Sequence, residues 1–231
     1  MTTTSTSESR SGAGLVAAVA LADLVLHVAL SGRYGYWIDE LYFIACGEHL
    51  AWGYVDHPPL IAAVAKVSRI LLGDSLYAIR LASALSGALL VLLAGRIARE
   101  LGGGRFAQLV AALSVFIAPV YLGFHGLLTM NAFEPLFWTT CGWLAIRMVR
   151  TDDPRVWLAI GVVVGIGFLN KHSMAFFAIA LVVGFLLTAE RRLLFTKWAL
   201  GGAVLAVLVA LPRVLWQSDH HDCTGPRMLV R

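Results

Sequence analysis

The sequence is short of charge and of cysteine. Only 14% of its 231 residues are charged and 59% are hydrophobic. Soluble domains run at about 25% charged and roughly 45–50% apolar, so these values, with a mean hydropathy of +0.78, exclude an ordinary water-soluble globule. The three cysteines, Cys46, Cys141 and Cys223, are far apart and form no Cys-x-x-Cys, which argues against an obligatory disulfide framework. No small-residue cleavage site followed by a soluble domain comes after the first apolar run, so that run is not read as a signal peptide. No P-loop spacing surrounds Gly102, Gly103 and Gly104, and the three glycines read as a tight turn. No clear internal repeat is present, which weighs against a repeat-built transporter. The net charge of +4 does not imply nucleic acid and is better read through topology.

What the chain does have is long apolar runs, including LVAAVALADLVLHVAL, LASALSGALLVLLAG, AFFAIALVVGFLLT and ALGGAVLAVLVALP. A bilayer crossing needs about 20 apolar residues, so flanking residues must complete most of them. Spans are expected near 14–31, 78–98, 106–124, 127–148, 156–170, 173–189 and 197–213. Arginine and lysine mark cytoplasmic loops. GRIARELGGGR, RMVRTDDPR and ERRLLFTK alternate along the chain and fall on one side, which places the N-terminus inside and the loop 32–77 outside. Within that loop, DELYFIACGEHLAW and PPLIAAVAKVSRILLG read as two helices lying in the outer interface, the second opened by prolines at its first turn. If 58–73 crossed instead, the Arg-rich connections would turn outward, against the sidedness rule. The polar head, residues 1–13, is expected to be disordered. Residues 14–213 form the membrane domain, and 214–231 a polar tail.

Several side chains sit oddly in this apolar setting. WIDELYF carries adjacent acids, Asp39 and Glu40. Neighbouring helical residues do not face one another, so the two are not a dyad. Glu40 serves equally as a helix-start acid, while Asp39 is the stronger site candidate. GYVDHPPL, seventeen residues on, sets Asp56 and His57 on a turn stiffened by Pro58 and Pro59. Lys66 and Arg69 share a helix face outside and are explained by snorkelling to headgroups. Arg80 opens a span and is harder to dismiss, since a guanidinium suits a phosphate. Asn131 and Glu134 stand three apart ahead of Pro135. An acid at membrane depth usually faces a cavity or a partner, and Asn131 serves equally as an interhelical hydrogen-bond partner. Lys171, in GFLNKHSM, is either an anchor or a phosphate cation. Asp23 and His27 are expected to face the bundle interior, and Ser83-x-x-x-Gly87 to allow close helix packing. DHHDC near the end resembles a metal-ligand set but has no second cluster, and is taken as an exposed tail.

In combination, WIDELYF, GYVDHPPL, GDSLYAIRL, ARELGGGRFAQ, MNAFEPLFW and GFLNKHSM resemble the bacterial branch of glycosyltransferase family 39. These are the dolichyl-phosphate-mannose–protein mannosyltransferases of the GT-C fold, similar to the lipid A aminoarabinose transferases. The resemblance covers roughly residues 34–212. It implies an all-α polytopic membrane protein, a GT-C-like bundle of about seven transmembrane helices with interfacial helices in the first outer loop. It further implies a multi-pass cell-membrane enzyme that moves a sugar from a polyprenyl-phosphate donor to an acceptor hydroxyl on the outer face, with inversion. Asp39 matches the family's catalytic acid, with Glu40 beside it, and Asp56 the acid of the second motif. His57 stands where aminoarabinose-transferring relatives have lysine. Asn131 stands where many have aspartate, and Lys171 matches the lysine after the fifth span. His57, Arg80 and Lys171 are the expected holders of the donor phosphate; Asn131 and Glu134 are further cavity candidates. No cofactor or metal site is indicated, although a divalent cation is compatible. The acceptor is a lipid, a glycan or a protein, and no nucleic acid is involved. Two other readings are a transporter or flippase of lipid-linked sugars and an inactive fragment. The closing SDHHDCTGPRMLVR departs from the family pattern and is expected to be the out-of-frame end of a truncated frame.

Overall fold

The computed structural model describes residues 12–220. The expected disordered head therefore lies almost wholly outside the described residues, as do Cys223 and most of the expected tail. Among the described residues regular structure is helical throughout, with no strand. The chain divides into two compact units, residues 1–41 with 67–147 and residues 42–66 with 148–231. The division passes through two short helices, α2 (Ile38–Glu48) and α3 (Leu60–Leu72).

The first unit is built on α1 (Ala13–Leu30), α4 (Leu76–Glu100), α5 (Arg105–Phe116), α6 (Pro119–His125) and most of α7 (Met130–Thr151). Ser75 caps α4 by accepting from the Ala78 N–H at 3.1 Å, which satisfies one of the orphan donors of the first turn. Its far end closes on Gly102, at φ +89°. The Gly102 N–H bonds the Arg99 carbonyl and the Gly103 N–H the Ala98 carbonyl. This is a Schellman ending, and it gives the expected tight turn a physical cause. α1 lies against α4 through small residues. A Cβ on Gly87 would come within 2.8 Å of Asp23 and His125, and one on Gly95 within 2.6 Å of Val16. Ser83 is fully buried one turn before Gly87. Val16, Ala20, Ala88, Val91 and Ala112 form the core where α1, α4 and α5 meet.

The segment expected as one span at 106–124 is a bent pair, α5 and α6, turned by 61°. Pro119 supplies the reason. The residue before a proline is driven out of the helical region, and Ala118 is extended at ψ 121°. Pro135, by contrast, lies inside α7, where its missing N–H removes one i→i−4 bond without ending the helix.

The second unit contains α8 (Val156–Asn170), α9 (Ser173–Leu186), a 3₁₀ turn at Ala189–Leu193 and α10 (Lys197–Asp219). α8 and α10 cross with backbones nearly touching. A Cβ on Gly161 would fall 2.0 Å from the Gly202 carbonyl oxygen, and one on Gly202 would fall 2.3 Å from that of Trp157. Such small-residue crossings hold helices together where lipid removes any hydrophobic preference for association. The Trp157 indole N–H donates to the Leu193 carbonyl at 2.9 Å. An apolar groove of about 770 Å³ lies among α8, α9 and α10. α10 continues to Asp219, beyond the expected boundary at 213, because Val214 and Leu215 extend the apolar run.

α1, α4 and α10 are long and apolar enough to cross a membrane, and the α5–α6 pair makes a fourth crossing if counted as one. The other expected segments are also helical, but α8 and α9 have only 15 and 14 residues, about 22 Å against a hydrocarbon core of about 30 Å. Length and composition alone thus license three or four crossings among the described residues, and the full expected count of seven is not shown. The chain is an all-α membrane protein.

Candidate active site

The first turn of α2 is fixed by Glu40. This side chain is fully buried and Arg80 is 1% exposed. Arg80 Nε donates to Glu40 Oε1 at 2.8 Å and Nη2 to Oε2 at 2.6 Å. Charge-assisted bidentate pairs of this kind are strong and directional. The same carboxylate also accepts from the Leu128 N–H at 2.9 Å. It further reaches back to the Trp37 N–H at 2.9 Å, the acidic half of a capping box. Arg80 also donates to the carbonyls of Ser31 at 2.6 Å, Tyr34 at 3.3 Å and Gly35 at 2.8 Å. A guanidinium has five N–H donors, and this set occupies all of them. Burial alone would raise the Glu40 pKa. The hydrogen bonds from Arg80, Leu128 and Trp37, with the charge of Arg80, overcome that and hold it below the ordinary carboxylate range.

This geometry divides the roles expected for three residues. Glu40 and Arg80 saturate each other and tie 31–40 to α4 and to the start of α7. Arg80 therefore has no donor left for a phosphate. Asp39, one position away, is exposed and has no hydrogen-bond or ion-pair partner among the described residues. Beside the brace lies a cavity of about 580 Å³, lined by His27, Tyr34, Tyr36, Trp37, Arg80 and Leu122 among others. Asp23 and His27 are buried, at 2% and 4% exposure, and face the interior as expected. Asn131 and Glu134 are half-buried in the first turns of α7, and both are engaged in polar or electrostatic contacts.

In the second unit Asp56 is exposed and accepts from the Tyr42 hydroxyl at 2.7 Å. Burial, and then that hydrogen bond, push the Tyr42 pKa far above its ordinary value, so Tyr42 remains a donor. His57 is 1% exposed. Its Nδ1 pairs with the Pro58 carbonyl at 2.8 Å, while Nε2 has no partner among the described residues. Tyr54 stacks on the His57 ring at 4.6 Å, and Tyr42 and Phe43 meet it edge-on. Lys171 is the half-buried C-cap of α8, its N–H bonded to the Gly167 carbonyl. Arg213 is a buried residue that the sequence reading passed over. It is 3% exposed on α10, and its Nε and Nη1 lack partners. An arginine inside an apolar span is itself a signal that would have found it. Asp39 falls in the first unit, and Asp56, His57, Lys171 and Arg213 in the second.

The chain is 26% identical, over 89% of its length, to an undecaprenyl phosphate-alpha-4-amino-4-deoxy-L-arabinose arabinosyl transferase of Pseudomonas savastanoi. It is 26% identical, over 82% of its length, to the lipid A galacturonosyltransferase RgtD of Rhizobium johnstonii. A second arabinosyl transferase, from Pseudomonas fluorescens, is 30% identical over 72% of the chain. The chain spans 41%, 40% and 30% of the length of these curated relatives respectively. No solved structure matches. Residues 56–216 match the family described as dolichyl-phosphate-mannose-protein mannosyltransferase. With that match covering most of the sequence, the chain belongs to the dolichyl-phosphate-mannose-protein mannosyltransferase family.

Proposed function

We propose that the protein takes part in transferring a sugar from a polyprenyl-phosphate donor to an acceptor hydroxyl on the outer face of the membrane. The observation that carries this reading is the first turn of α2. A fully buried Glu40–Arg80 brace holds it rigid while Asp39 stands exposed and unpaired. A catalytic carboxylate needs a fixed backbone and a free carboxylate, and the brace gives both. Asp39 takes the proton of the acceptor hydroxyl. The acceptor oxygen then bonds the anomeric carbon as the bond from that carbon to the phosphate oxygen breaks. The lipid phosphate leaves, and the configuration inverts. A positioned general base contributes roughly 10²–10⁴-fold.

Asp56, oriented by Tyr42, is the second carboxylate of the reading. His57 and Lys171 are its candidates for the donor phosphate, and Asn131 and Glu134, half-buried in the first turns of α7, are further cavity candidates. Glu40 and Arg80 act as positioning residues and touch no substrate. The name of the Pseudomonas savastanoi relative, an undecaprenyl phosphate-aminoarabinose transferase, supports a lipid-linked glycosyl donor. A transfer assay with radiolabelled polyprenyl-phosphate sugar tests it. Transfer by the wild-type chain that falls by two orders of magnitude or more in Asp39→Asn supports the reading; full transfer by Asp39→Asn removes Asp39 as the base.

A further inference from the structure

Arg213 presents a physical problem that the rest of the molecule does not solve. A guanidinium stays charged at any accessible pH, yet this one is 3% exposed. Nε and Nη1 have no hydrogen-bond partner among the described residues. Nη2 makes one long contact, 3.4 Å, to the Tyr54 carbonyl. Among the described residues no carboxylate pairs with it. The group packs against Gly53, where a Cβ would fall 1.9 Å from Nη1, and over the Trp216 ring at 5.1 Å. A buried charge is strongly unfavourable unless an opposite charge and hydrogen bonds compensate it.

We propose that Arg213 is the cation of a phosphate-binding site in the second unit. The missing partner is an anion, and the surroundings select phosphate. Tyr54 joins two such groups: its carbonyl accepts from Arg213, and its ring stacks on His57, whose buried Nε2 is also unpartnered. His172 lies near enough to feel the charge of Arg213. The unpartnered Nε and Nη1 carry three N–H donors, and a phosphate monoester offers three strong acceptor oxygens and up to two negative charges. A flexible lysine would not serve the same position, because it lacks the planar fork that can pack over the Trp216 ring and still present several donors. The ligand on the reading above is the phosphate of a prenyl phosphate, and the assignment of that source rests on that reading.

The test uses the full chain in nanodiscs of neutral lipid and follows the thermal unfolding midpoint. The probes are farnesyl phosphate, farnesol and inorganic phosphate. Farnesyl phosphate should raise the wild-type midpoint saturably, and farnesol should not. Arg213→Gln should need about tenfold more ligand or greater, as expected for losing a charged hydrogen-bond donor set, and Gly53→Ala should weaken binding by displacing the guanidinium. If Arg213→Gln does not fold, Arg213→Lys and Gly53→Ala carry the same comparison. An equal response to inorganic phosphate keeps the phosphate site but removes the prenyl source. A wild-type midpoint indifferent to both phosphates, or variants that bind as the wild type does, overturns the proposal. Binding is read without turnover. Transfer with Arg213-independent binding would sink this inference alone, and Arg213-dependent binding without transfer would sink the transferase reading alone.

Discussion

Among the described residues each unit of this protein buries one arginine, and the two could hardly be more differently served. Arg80 has every N–H engaged, two of them on a buried carboxylate. Arg213 has one long contact and a pair of unpartnered nitrogens. A saturated charge fastens structure, whereas an unsaturated one waits for a ligand. The first unit uses its arginine to set the turn carrying Asp39, and the second keeps its arginine available.

The largest expected effect comes from breaking the saturated pair. Glu40→Ala leaves Arg80 charged and buried, and should cost about 3–5 kcal/mol in unfolding experiments in nanodiscs. Arg80→Met strands Glu40 and should cost a similar amount. Arg213→Met, measured without phosphate, should be neutral or stabilising, because only a long contact to the Tyr54 carbonyl and the Trp216 ring compensate the buried charge it removes. Opposite signs at the two arginines would establish the contrast; equal losses would erase it.

Next in size is the helix crossing of the second unit. Gly202→Val forces a branched side chain against the Trp157 carbonyl and should lower stability by about 1–3 kcal/mol or more, read as a lower unfolding midpoint. Acid should act on the first unit through Glu40. Its pKa is depressed in the folded state, so its contribution is fully present above the unfolded value of about 4.3. That contribution is lost as pH falls through the lower folded value. The acid limb of the stability curve should therefore flatten in Glu40→Gln. Tyr42→Phe is the smallest of these changes. It removes one hydrogen bond to an exposed Asp56 and should cost about 0.5–1.5 kcal/mol, with the loss visible in the same unfolding measurement.

Much of the helical layout was legible because apolar runs must be helical in lipid, where no other single segment satisfies its own backbone. The helices at 38–48 and 60–72 were legible from the acids and prolines that open them. The α5–α6 bend was marked by Pro119 but hidden inside a continuous apolar run. Arg80 read as a phosphate cation because nothing in a linear sequence shows that residue 40 will meet residue 80. Glu40 could be read as a helix-start acid, and it is one, but it is also the counter-ion of Arg80. Arg213 stands beside Pro212 at the end of an apolar run, and linear order does not show whether a carboxylate will meet it.

By itself the sequence determined the membrane class, the helical character, the small-residue contacts at Gly87 and the position of Asp39 one step from a second acid. Those follow from composition, from local backbone sterics and from spacing along one helix. Only the tertiary structure decided which charges are compensated. Ion pairing depends on groups brought together across 40 residues, as for Glu40 and Arg80, and the cost of an unpaired charge depends on its burial. Both are properties of packing, and neither is written in the local order of residues.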